Sequence, residues 1–285
     1  MKFRPAKKEY GINDLPLTRK DQFFDLIKTR FSLFLEIGGI LLLFATPFLF
    51  AFIIKYFVIL KNAEPNLNAD EFLAFKKFIY LIFDGIYCLC FLLIFTALAG
   101  IGRIIKEWVW GKGVYFWHDF IKGIKENFFL YLGLWFIFSI FFLINEFLYI
   151  YIDNDIVYIL FGGFSMLLLP LLMMIMSQSV IYNSPFNERV RNSFFYLVKK
   201  PFVTLLFLLF PYAILSITII HLLIVEFFVF ALAFLLFCPF YIVGWYLFSL
   251  SLFDEYTNKE FYPSFYKKGL REEFLPKNNE NEERS

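Results

Sequence analysis

The chain of 285 residues is 60% hydrophobic and 23% aromatic, with charged residues making up only 18% and a formal net charge of +2. That is too apolar for a soluble domain of ordinary composition, and so small a net charge gives no electrostatic support for a nucleic-acid partner. The three cysteines, Cys88, Cys90 and Cys238, stand within apolar stretches that offer no pattern for a disulfide or a metal site, and they read as small buried side chains.

In chain order, residues 1–22 form a basic arm that passes into polar sequence with no short apolar core or small-residue cleavage site, so a cleaved signal peptide is not expected. Residues 23–252 read as a single membrane domain and 253–285 as a charged, partly disordered tail. Apolar runs of spanning length are bounded at Phe34 to Phe57, Phe78 to Ile101, Phe128 to Tyr151, Ile156 to Met176, Phe202 to Leu222 and Phe227 to Leu252. About six spans follow. The reversal between the last two is placed at His221 to Glu226, the only ionisable groups in that stretch. With six spans, 23 of the 27 Lys and Arg fall on one side, and only Lys55, Lys61, Lys76 and Lys77 on the other. This asymmetry predicts that both termini face the cytoplasm. Trp108, Trp110 and Trp117 crowd the second cytoplasmic connection, where indoles favour the headgroup region, so that loop is expected to lie on the membrane.

Three segments align without gaps: FFDLIKTRFSLFL from Phe23, FIKGIKENFFLYL from Phe120 and FFYLVKKPFVTLL from Phe194. Phe23, Phe120 and Phe194 open the copies, Lys28, Lys125 and Lys199 stand five residues on, and Phe31, Phe128 and Phe202 eight on. Each copy is expected to be a short amphipathic helix at the interface, followed by a turn into a span. Three parallel hairpins, each introduced by such a helix, would make the protein. Composition alone is the competing explanation, because a chain with 44 Phe readily yields such coincidences.

The run FTALAGIGRIIKEWVWGKGVYFWHDFIKGIKENF from Phe95 joins a small-residue helix end, an Arg, a Gly-flanked basic turn and a Lys/Asn-bearing helix. With NERVRNSFFYLVKKPFVTLLFLLF from Asn187, it resembles the YesL-like family of bacterial polytopic membrane proteins. The resemblance implies a multi-span bacterial protein of unassigned activity, often encoded beside carbohydrate-uptake transporters, and it supplies no catalytic residues. The chain departs from the family pattern in its longer charged tail and in the outer loop from Lys61 to Phe72.

Motifs for a metalloprotease, a serine hydrolase, a nucleotide site or structural zinc are missing from the sequence. Glu36 reads as a snorkelling charge near Arg30 and Lys28. Asp84 lies deeper, and an interhelical ion pair with Lys55 is the expected way to hold it. Asp153 and Asp155, His118, and His221 with Glu226 read as solvated turn or interface groups. Pro47, Pro170, Pro211 and Pro239 read as kinks. The whole predicts an all-α, polytopic transmembrane helical bundle that is not an enzyme and needs no cofactor or metal. Its expected role is that of an accessory or scaffold of the bacterial plasma membrane, in contact with the lipid bilayer and a membrane transport complex and linked to carbohydrate uptake. The alternatives are a small transporter or channel, and a membrane enzyme acting on lipid.

Overall fold

A computed structural model describes residues 15–61, 69–152, 155–215 and 223–271. The fold is an all-α bundle: α1 (Arg19–Thr29), α2 (Phe31–Lys61), α3 (Ala69–Val109), α4 (Phe116–Tyr151), α5 (Asp155–Ile181), α6 (Phe186–Lys199), α7 (Pro201–Leu215), α8 (Leu223–Leu232), α9 (Cys238–Phe253) and α10 (Lys259–Phe261). Phe31–Leu60, Asp70–Val109, Phe116–Tyr151 and Leu223–Phe261 are each long and apolar enough to cross a membrane. A fifth crossing arises if Phe186–Lys199 and Pro201–Leu209, bent by 96°, form one span, and Leu167–Ile181 is a shorter apolar helix. Leu43, Phe50, Leu89, Phe129, Phe202 and Leu206 point outward and are exposed. A soluble monomer rarely shows so wide an apolar surface. It suits a protein solvated by lipid.

The helices run antiparallel, so that α1, the C-terminal end of α3 and the end of α9 meet at one end of the bundle, called here the α1 end. The main core lies toward that end, with Phe34, Ile37, Ile104, Trp108, Trp245 and Phe253 all buried. Helices α2 and α9 approach closely at one point. Pro239 has no N–H and its ring crowds the carbonyl four residues back; a π-helical turn at Ala233–Phe237 absorbs the mismatch. The displaced Leu235 carbonyl comes to rest on Gly38, where a Cβ would stand 1.9 Å from the oxygen. Only glycine leaves room for that oxygen.

The three aligned segments take two shapes. In the first, α1 ends at Arg30 with φ −140° and ψ 44° before α2 starts at Phe31. In the third, α6 ends at Lys200 with φ −134° and ψ 63° before α7 starts at Pro201. A residue preceding proline is steered away from helical geometry, which accounts for Lys200. The second segment corrects the expectation of a turn, because it lies inside the unbroken helix α4. Its physical reason is packing on α3. A Cβ on Gly123 would stand 2.9 Å from the Ala99 carbonyl, and one on Gly100 would stand 2.3 Å from the Phe120 ring. Small residues thus bring the two backbones together, and Arg103 ties α3 to Glu126 and Asp119 of α4. The opening phenylalanines differ accordingly, with Phe120 buried, Phe23 half-buried and Phe194 exposed, whereas Phe31, Phe128 and Phe202 are all exposed. Lys28, Lys125 and Lys199 are exposed as well.

The part of the expected tail that the structure describes belongs to the folded body. The last long helix continues past Leu252 to Phe261, and residues 263–271 fold back between α1 and α3. Phe265 stacks on Trp110 at 5.4 Å, and the Arg271 N–H donates to the Pro16 carbonyl at 3.0 Å. Trp108 is buried and Trp110 is covered by this return, so of the three indoles only Trp117 is exposed.

Candidate functional site

Ionisable groups away from the ends of an apolar bundle are costly and mark function. Four helices bring such groups together in the half opposite α1. On α3, Tyr80, Asp84 and Tyr87 recur at helical spacing and so share a face. Lys55 reaches them from α2, six residues before that helix ends. Its Nζ lies 3.4 Å from Asp84 Oδ1, 3.7 Å from the centre of the Tyr80 ring and 5.2 Å from that of Tyr87. Glu146 of α4 and Glu226 of α8 complete the ring of ionisable groups.

These groups line a cavity of about 400 Å³, walled elsewhere by Phe48, Phe52, Phe91 and Phe142. Asp84 is 1% exposed, and its Oδ2 has no hydrogen-bond partner among the described residues. The Tyr87 hydroxyl is in the same condition. A buried polar atom left unpartnered costs about 1–3 kcal/mol. The residues around the pocket thus carry two buried polar atoms without a partner among the described residues, and set three carboxyl groups against one ammonium. It can receive a polar guest.

Of the residues singled out from sequence, Lys55 and Asp84 are brought together. Glu226 does not sit in a solvated turn: it is buried in the first turn of α8, facing this cavity. Sequence places it at a boundary because it is the sole acid in its apolar run, and the helix register that turns it inward is not visible there. His118 and Glu36 are exposed. His221 and Asp153 lie outside the described residues.

A second polar assembly, at the α1 end, escaped the sequence reading. Arg19, 7% exposed, donates through Nε and Nη2 to Asp254 Oδ2 at 3.1 and 2.8 Å, and through Nη1 to Gln22 Oε1 and the Lys268 carbonyl at 2.9 and 3.0 Å. Gln22 Nε2 donates to the carbonyls of Val109 and Gly269. Asp254 Oδ1 accepts from Asn258 Nδ2 and the Lys267 N–H, and Asn258 Oδ1 accepts from the Tyr182 hydroxyl. A π-helical turn at Asp254–Asn258 carries these acceptors. Burial draws the Arg19 guanidinium below its ordinary value while Asp254 opposes the shift, and burial pushes the Tyr182 phenol up. The spacings Arg19/Gln22 and Asp254/Asn258, each on one helix face, are the sequence signal for this clamp.

No protein-family model matches the chain, and no curated protein and no solved structure matches it. Fold and site together define an all-α integral membrane protein with a charged pocket in one half and a closed polar clamp at the other end.

Proposed function

We propose that the chain is a non-enzymatic, six-span protein of the bacterial plasma membrane, with both termini cytoplasmic, that takes a small polar solute into the pocket around Lys55 and Asp84. The observation that carries this reading is the pocket itself, in which one ammonium, three carboxyl groups and two tyrosines line a cavity of about 400 Å³ inside an apolar bundle. Small-ligand sites combine mostly apolar walls with a few convergent polar groups in this way. The distribution of Lys and Arg supports the orientation, which places the pocket in the outer half. Transport or solute sensing would both begin with this binding step.

Calorimetry on the purified chain in lipid nanodiscs, titrated with small ammonium, carboxylate and sugar solutes, tests the reading. At least one should bind, and Asp84→Asn should weaken that binding about tenfold, or roughly 1.4 kcal/mol. Equal binding by wild type and variant would sink the proposal.

A second reading, an accessory or scaffold of a membrane transport complex linked to carbohydrate uptake, is favoured by the clamp. It fastens α1, α3, α9 and the C-terminal return into one face at the α1 end. The resemblance to the YesL-like family supports it too. Purification from native membranes should then recover a transporter subunit with the wild type, and less of it with Asp254→Ala.

A further inference from the structure

We infer that the guest of this pocket is a small organic cation, an ammonium ion that takes the seat Lys55 Nζ holds over Tyr80 and beside Asp84. The inference rests on reading the pocket as a solute site and names the chemistry of the solute.

Three features of the wall select for positive charge. Asp84, Glu146 and Glu226 line the cavity against Lys55 alone, so even with the lysine in place the lining carries an excess of carboxyl groups. The Tyr80 and Tyr87 rings present the negative face of their π systems to a cation, and Lys55 already exploits it, lying 3.7 Å from the Tyr80 centroid and 5.2 Å from that of Tyr87. Asp84 Oδ1, 3.4 Å from Lys55 Nζ, is the acceptor at that seat, and among the described residues the Oδ2 of the same carboxyl has no partner. An anionic guest would face three carboxyl groups for one ammonium.

Lys55 is a tethered example of the ligand. Its ammonium shows where a cation rests, and its four-carbon stem lets it leave. The lysine stands six residues from the end of α2, about 9 Å at the helical rise, so the side chain can extend toward that end and release the seat. Two other lysines lie on the same stretch of α3: Lys76, 5.8 Å from the Tyr80 ring centre, and Lys77, 5.6 Å from that of Tyr151. Lys76 is exposed and Lys77 half-buried. Lys76 is more open to water than the seat, so salt and solvent screen its repulsion of an arriving cation.

A metal ion fits the wall less well. Among the described residues, no three His, Cys, Asp or Glu side chains gather closely enough to share one ion. The carboxyl groups are spread around an aromatic cavity of about 400 Å³, which suits a charge carried on a carbon frame.

The test uses the full chain in nanodiscs and three probes of matched shape: butylammonium, butanol and butyrate. Calorimetry should record binding of butylammonium only. Lys55→Met, which vacates the seat, should bind it about tenfold more tightly. Because that variant also removes the partner of Asp84 and lowers stability, Glu146→Gln serves as a second variant. It leaves the Lys55–Asp84 pair in place and should weaken butylammonium binding several-fold. Melting curves add an independent readout, in which butylammonium but not butanol should restore part of the midpoint lost in Lys55→Ala. Binding of butyrate or butanol in preference to butylammonium overturns the cation and leaves the solute reading standing. No change of affinity in either Lys55→Met or Glu146→Gln also overturns it. If none of the three probes binds and a wider solute panel is equally silent, both readings fall together.

Discussion

Two buried ion pairs stand in opposite halves of this bundle, and they are built differently. At the α1 end, Arg19 and Asp254 meet at 2.8 Å, and every guanidinium nitrogen and both carboxylate oxygens have partners. In the other half, Lys55 and Asp84 meet at 3.4 Å beside a cavity, with one carboxylate oxygen unsatisfied among the described residues. A buried charge is tolerated when its hydrogen bonds are completed, and is costly otherwise. The closed pair fastens elements together, and the open pair keeps capacity for a further partner. Burial alone separates these two sites poorly. Satisfaction of the polar atoms separates them well.

Asp254→Ala should produce the largest effect, since it leaves the Arg19 guanidinium buried and uncompensated at a cost of about 3–5 kcal/mol. Thermal unfolding in detergent should show a strongly lowered midpoint, with early proteolysis in the segments bearing α1 and residues 263–271. A loss near that of an exposed pair would mean that the clamp is not closed.

Gly269→Ala should come next. Gly269 has φ +84°, a region that favours glycine, and an added Cβ would stand 2.1 Å from the Val109 carbonyl. Together the strain and the forced movement of the C-terminal return should cost about 1–3 kcal/mol. The same melting measurement checks it, and a silent substitution would show that the return is loosely held.

The bundle itself was legible from the sequence, because long uncharged runs leave helices in lipid as the way to satisfy the backbone. Lys55 and Asp84 were legible for the same reason: two isolated charges in apolar helices need each other. The clamp was not. Arg19, Gln22, Asp254 and Asn258 sit in segments that read as ordinary basic and acidic flanks, and their pairing spans the length of the chain. Nor was the π-helical turn at Asp254–Asn258 visible, since it inserts one residue into a helix without changing composition. The Phe-Lys-Phe pattern shows the converse limit. It marks helix breaks in copies one and three, whereas the glycine-mediated contact of α4 with α3 overrides it in copy two.

Tyr182→Phe should have a smaller effect and a distinctive pH dependence. At neutral pH it loses the hydrogen bond to Asn258 Oδ1, worth about 0.5–1.5 kcal/mol. Burial raises the Tyr182 phenol above its ordinary value of 10.0, so above that pH the unfolded chain releases a proton that the folded chain retains. Stability contributed by Tyr182 is thus complete below pH 10.0 and falls as pH rises toward the folded value. Phenylalanine removes that slope. Melting curves of the two proteins should therefore converge as pH climbs past 10.0. Parallel curves would place the titration elsewhere in the clamp.

Asp84→Asn should disturb stability least, within about 0.5 kcal/mol, and it is the sharpest test of the contrast between the two pairs. Asparagine keeps an acceptor in reach of Lys55 Nζ and replaces a carboxyl whose second oxygen has no partner to lose among the described residues. Lys55 retains the Tyr80 ring and the carboxyl groups of Glu146 and Glu226 around the same cavity. The counterpart Asp254→Asn has no such reserve, because Asp254 Oδ1 and Oδ2 together receive four hydrogen bonds. Measured side by side, the clamp variant should lose several times more stability than the pocket variant, while only the pocket variant loses solute binding. Equal losses would make the Lys55–Asp84 pair a second fastening, and the cavity beside it a packing defect with no guest.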